Sequence, residues 1–69
     1  MSGGKEVTTS DLIKAVAREL RFRRRVYPRM IDAGKLDDRT ADHEIACMEE
    51  LQRRLEIQQE KESSQMKLL

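Results

Sequence analysis

The sequence predicts an all-α fold, an antiparallel helical hairpin that dimerises as a four-helix bundle. Three observations carry this expectation. Charged residues make up 39% of the chain and aromatic residues 3%, with no Trp, which is poor material for a sheet or a large-ligand pocket and suits solvated helices. Apolar residues recur every three or four positions in two long stretches, the period of a helical face and not of a strand. Only Gly34, Lys35 and Leu36 separate the two stretches, and helices joined this tightly are normally antiparallel neighbours.

The first helix is expected from Thr9. Thr8 can cap it with Asp11 at the third helical position, and Val7 can pack on Leu12 as a hydrophobic staple. At 100° per residue Leu12, Ile13, Val16, Ala17, Leu20 and Tyr27 share one broad arc, the stripe that faces a core. Pro28 lacks an amide hydrogen and crowds the carbonyl of Arg24, so the helix should stop or kink near Tyr27. Residues 28–33 then read as a last turn or two, closed by Gly34 in the left-handed conformation.

Asp37 is the N-cap of the second helix, and Asp38 adds negative charge at the positive end of its dipole. Ala41, Ile45, Met48, Leu51, Gln52 and Leu55 form its seam, while Glu49 with Arg53 and Glu50 with Arg54 are spaced for outward i,i+4 pairs. Beyond Leu55 the same register reaches Gln59, Glu62, Met66 and Leu69. Helix 2 is therefore expected to persist to about Glu62 and to fray after it. The organisation that follows is a flexible tail over residues 1–7, a hairpin domain over 8–62 and a frayed tail over 63–69.

A chain of 69 residues buries only about 60% of its unfolded surface, so one hairpin core gives marginal stability and a second copy should supply the rest. Cys47 is the only cysteine, which excludes an intramolecular disulfide and gives no sign of an oxidising compartment. The opening MSGGKEVTTSD has no apolar signal region, and no run approaches the roughly 18 apolar residues of a membrane span. The expected address is the cytoplasm, with no membrane partner.

The formal charge of +1 hides a dipole. Residues 14–29 carry seven bases against Glu19, net +6, whereas residues 32–62 carry ten acids against five bases, net −5. Two packed segments of opposite sign can neutralise each other. On the wheel, Lys14, Arg18, Arg21, Arg25 and Arg29 gather on roughly a quarter of the face opposite the core arc, making a basic ridge. Arg23 and Arg24 fall beside the arc instead, where an aliphatic stem can lie along the core while the guanidinium reaches a carboxylate.

From Arg23 the chain reads RRRVYPR, then Gly-Lys-Leu, then ADHEI from Ala41 continuing ACMEEL. In this pattern, over roughly residues 12–56, it resembles a group of small uncharacterised proteins encoded in bacteriophages and prophages. The resemblance implies a bacterial host cell and an accessory role. It brings no activity and no defined site.

His43, Cys47 and Glu50 are spaced so that one helical face presents an imidazole, a thiol and a carboxylate, all acceptable to zinc. A structural site normally wants four ligands, and no second His or Cys exists to complete it; a small Cys and a His packed beside helix 1 is the plainer reading. A Cys-His enzyme would need a third group and a scaffold that excludes water, and the sequence has no Gly-rich phosphate loop either. No catalytic residue, metal or cofactor is expected.

Binding is what remains. The candidate residues are Arg18, Arg21, Arg25, Arg29, Phe22 and Tyr27, serving self-association as a dimer and a host or phage protein. The alternative is nucleic acid, because helix-borne arginines along one face bind phosphates. Against that reading stand the near-neutral total charge, the lack of rings for stacking on single strands, and the absence of helix-turn-helix spacing.

Overall fold

The protein is seen in a computed structural model that describes residues 6–68, with side chains described through residue 64. Two helices form an antiparallel hairpin: α1, Thr9–Asp32, and α2, Asp38–Leu68. Among the described residues there is no strand, so the all-α hairpin expected from the sequence is the fold.

Each helix begins where its local chemistry says it should. The Asp11 amide donates to the Thr8 hydroxyl at 3.1 Å and the Thr8 amide donates back to the Asp11 carboxylate at 3.1 Å, a complete capping box. The Thr40 amide donates to the Asp37 carboxylate at 2.7 Å, and the Ala41 amide to the Asp37 carbonyl at 3.0 Å. These bonds favour the ionised carboxylates, and both Asp11 and Asp37 are held below the usual Asp range.

The turn between the helices is closed by Gly34 at φ 73°. Its amide donates to the Ile31 carbonyl at 3.0 Å and the Lys35 amide to the Met30 carbonyl at 2.8 Å. This pair of bonds is a Schellman motif, which satisfies carbonyls that a helix end would otherwise leave open. α1 does not stop at Tyr27 but runs through Pro28 to Asp32. Pro28 is exposed, so water can take the Arg24 carbonyl that proline deprives of a partner.

α2 also ends later than expected, at Leu68 rather than near Glu62. Residues 63–67 contain no Gly or Pro, and ordinary residues cost a helix at most about 0.7 kcal/mol each, so losing the apolar seam does not by itself end the helix. The expected tail over residues 1–7 falls largely on residues 1–5, outside the described residues, as do Leu69 and the side chain of Met66.

The core is thin. Leu20 and Ala41 are each 3% exposed, and no other described residue is fully buried. Ile13, Val16, Ala17, Tyr27, Ile45, Met48 and Leu55 are half-buried along the seam, as their period predicts. Leu12 and Leu51, expected in the same arcs, are 43% and 39% exposed. They sit at the edges of those arcs, and a single neighbouring helix covers only the middle of each. The Cα trace extends over 54 × 29 × 13 Å; two helices side by side make a single layer, so both broad faces of the hairpin meet solvent.

Candidate functional site

The arginines of α1 divide into two sets with different work. Arg23 is an internal brace. Its Nε donates to Glu19 at 2.8 Å, its Nη1 donates across to Glu44 of α2 at 3.2 Å, and its guanidinium lies 5.9 Å from the Tyr27 ring centroid. The Glu19 bond comes first in raising its already high pKa. Arg24 bridges to Glu49 of α2 at 2.6 Å. Consecutive positions 100° apart thus straddle the seam, one ion pair on each broad face of the hairpin.

Capture of Glu49 by Arg24 changes the outer pairing of α2. Glu49 does not pair with Arg53 as its spacing suggests. Arg53 turns to Glu50 at 2.6 Å, and Arg54 also reaches Glu50, at 2.8 Å. Two guanidiniums on one carboxylate hold Glu50 down to about 2, with the Arg53 bond the larger cause.

The second set is the ridge. Arg18, Arg21, Arg25 and Arg29 are all exposed, and among the described residues none of them forms an ion pair with a carboxylate. Intramolecular neutralisation by α2 therefore stops at Arg23 and Arg24. The ridge spans about 16 Å from Arg18 to Arg29 at 1.5 Å per residue. Such a row of guanidiniums can take carboxylates or phosphates from outside.

The two candidate rings part company. Phe22 is 47% exposed and carries the Arg25 guanidinium 5.8 Å from its centroid, so it belongs to the ridge's edge. Tyr27 is half-buried under Arg23 and belongs to the seam. Leu12 and Leu51 are the surface residues that sequence reasoning assigned to the core instead. Periodicity places a residue on a face but does not say how far a neighbour covers that face.

On the outside of α2, Cys47 Sγ lies 3.5 Å from His43 Nε2. The two line an open depression with Ala46, Glu50, Leu51 and Arg54. Glu50, the third member of the spacing, is engaged by arginines, and no group of three or more potential metal ligands gathers among the described residues. No helix among the described residues is long and apolar enough to cross a membrane. In comparisons with known proteins, no protein family, no curated protein and no solved structure matches this chain.

Proposed function

We propose that this chain is a small phage-type accessory protein that acts by binding proteins, through self-association as a dimer and through contact with a host or phage protein in the bacterial cytoplasm. One observation carries the reading. Among the described residues, a hairpin one helix thick buries only Leu20 and Ala41 and leaves Leu12, Phe22 and Leu51 in solvent, whereas stable domains pack at least two layers around a core. The surface that a partner would cover is present and the second layer is not.

The test is a pull-down from bacterial lysate with and without nuclease. A partner retained after nuclease treatment supports protein binding, and one lost on treatment places the activity with nucleic acid.

A second reading is favoured by the unpaired ridge. Arg18, Arg21, Arg25 and Arg29 offer four guanidiniums that pair with no carboxylate among the described residues, the footprint from which phosphate-backbone binding starts. Under this reading each Arg→Ala change weakens DNA or RNA binding whatever the sequence and lowers the salt slope by about one unit. Under the protein reading the losses are unequal, with Phe22 and one or two arginines dominant.

A further inference from the structure

We propose that the broad face of the hairpin carrying Leu12 and Leu51, with Phe22 at its outer edge, is covered by the same face of a second copy of this chain. This deepens the interaction reading above and rests on it.

The two broad faces are told apart by their ion pairs. Arg23 with Glu44 marks one and Arg24 with Glu49 the other. Counting 100° per residue outward from Leu20 on α1 and Ala41 on α2, Leu12 and Val26 fall on the Arg23 side and Met48, Leu51 and Leu55 on the Glu44 side, while Phe22, about 160° from Leu20, stands next to them at the outer edge of α1. The opposite face takes Arg21, Arg24, Asp42, Glu49, Arg53 and Glu56. Among the described residues, the exposed Leu12 and Leu51 thus share one face, with the exposed Phe22 at its outer edge, while the other is lined with charge. Leu12 and Phe22 lie about 15 Å apart along α1. The register set by the two arginine bridges puts Leu51 of α2 beside the stretch between them, so Leu12 and Leu51 share a patch that Phe22 borders.

Area argues for an occupant. The accessible surface is 5733 Å², against about 4,500 Å² for a compact monomer of this mass. This excess is spread over the whole single layer of helices, which leaves both broad faces in water; a standard interface takes roughly 800 Å² from each partner. A second hairpin laid on this face would turn one layer of helices into two, the packing of a four-helix bundle.

Charge argues that the occupant is another copy. A two-fold interface joins one patch to itself, so the patch must hold both members of every complementary pair. This one does. In its middle Glu19 and Glu44, with side chains 45% and 46% exposed, share the single cation Arg23 and leave one negative charge in excess. At the outer edge, the Arg25 guanidinium reaches over from the ridge to lie 5.8 Å from the Phe22 ring centroid and has no carboxylate among the described residues. Each copy therefore offers the other an unpaired guanidinium for an under-neutralised carboxylate cluster.

Sedimentation equilibrium of the full chain, from low micromolar to submillimolar concentration, tests the proposal together with three variants at exposed positions. The unmodified chain is expected to be a dimer. Phe22→Asp and Leu51→Asp should each weaken it about tenfold or more, whereas Ile57→Asp, 41% exposed on the far side of α2, should not. Because loss of the dimer can unfold so thin a hairpin, the unmodified chain supplies a second readout. In an equal mixture of isotope-labelled and unlabelled chains, the ring of Phe22, the only Phe, should show inter-copy cross-peaks to apolar side chains of this face. A dimer weakened by Ile57→Asp alone, or a Phe22 ring with no inter-copy cross-peak, overturns the face and leaves the interaction reading standing. A monomer throughout the range overturns the face and the self-association half of that reading.

Discussion

The Thr9 hydroxyl donates a hydrogen bond to the Glu62 carboxylate at 2.8 Å, across 53 residues of sequence. Glu62 lies well past Leu55, the last apolar residue of the α2 seam, so the two helices stay joined at the open end of the hairpin by a polar contact. Gln58 also donates to Glu62, at 3.0 Å. The Gln58 bond first, and the Thr9 bond second, hold this carboxyl below the usual Glu range. Thr9→Val should loosen that end alone. Native-state hydrogen exchange would show faster exchange of amides in the first turns of α1, with the amide of Leu20 unaffected.

Leu20 and Ala41 should be the two most sensitive positions. Leu20→Ala is expected to cost about 2 to 5 kcal/mol and to unfold much of so small a domain. Ala41 fails in the opposite way. Its methyl group sits where α2 approaches α1 just after the turn, so Ala41→Leu should cost about 1 to 3 kcal/mol by overpacking. Met48 is only half-buried, and Met48→Ala should be the milder of the two truncations. Urea unfolding checks the order, and an unchanged midpoint for Leu20→Ala would place the core elsewhere.

The sequence was most readable where the determining groups lie within a few residues of each other. The Thr8–Asp11 box, the Asp37 cap and the left-handed Gly34 each depend on neighbours in the chain, and all three are found. The seam was readable in direction but not in coverage: Leu12 and Leu51 obey the helical period yet remain exposed, because their cover depends on how many layers pack and not on the period. Glu49 was assigned to Arg53 because i,i+4 spacing considers only one helix, whereas Arg24 arrives from the other. Of the candidate site, the exposure of the four ridge arginines was readable from their opposition to the core arc. That they pair with no carboxylate among the described residues was not, since a net charge of −5 on the following segment leaves open which arginines it satisfies.

Gly34→Ala should destabilise the hairpin by about 1 to 2 kcal/mol. A Cβ at this position meets nothing within 4 Å, so the cost is the left-handed backbone at φ 73° and not a clash. Gly34→Asn should recover part of the loss, because Asn tolerates this conformation better than Ala. Equal melting temperatures for the Ala and Asn variants would contradict this account.

Acid should weaken the fold. Asp11, Asp37, Glu50 and Glu62 all have folded-state pKa values below the ordinary 3.8 for Asp and 4.5 for Glu. The folded state then binds fewer protons than the unfolded one. The contribution of these groups is fully present above the ordinary carboxylate range and is lost as pH falls from there toward the Glu50 value of about 2. Helicity and urea midpoint should therefore be flat above pH 5, marking only the top of this window, and fall below it. Asp37→Asn keeps a capping oxygen but removes a titrating one, so it should shrink the acid loss while changing little at neutral pH. A chain more stable in acid than at pH 7 would reverse the sign of this linkage.

Changes in the ridge should leave the fold intact. Arg18→Ala, Arg21→Ala and Arg29→Ala remove guanidiniums that pair with no carboxylate among the described residues, so thermal melts should stay within about 0.5 kcal/mol of the unmodified chain. Arg23→Ala should stand apart from them, because it leaves Glu19 and Glu44 facing each other across the hairpin without their shared cation. His43→Ala should be nearly silent, and a chelator should not move the melt. With stability separated from binding in this way, a DNA titration at physiological salt becomes decisive. Submicromolar affinity abolished by Arg21→Glu with Arg25→Glu, in a chain that still folds, would move the protein to the nucleic-acid reading.

A hairpin that is a single layer of two helices has sides in place of depth. In a globular domain the tolerance of a position to substitution follows its distance from the surface, but here nearly every position is at the surface. Tolerance should follow compass bearing around each helix instead. A saturation scan of this chain would draw two narrow intolerant lines, through Leu20 on α1 and Ala41 on α2, shading into a third band wherever a neighbouring molecule lies against the hairpin. The width of that band, read from growth or binding alone, would outline the partner's footprint before any complex had been seen.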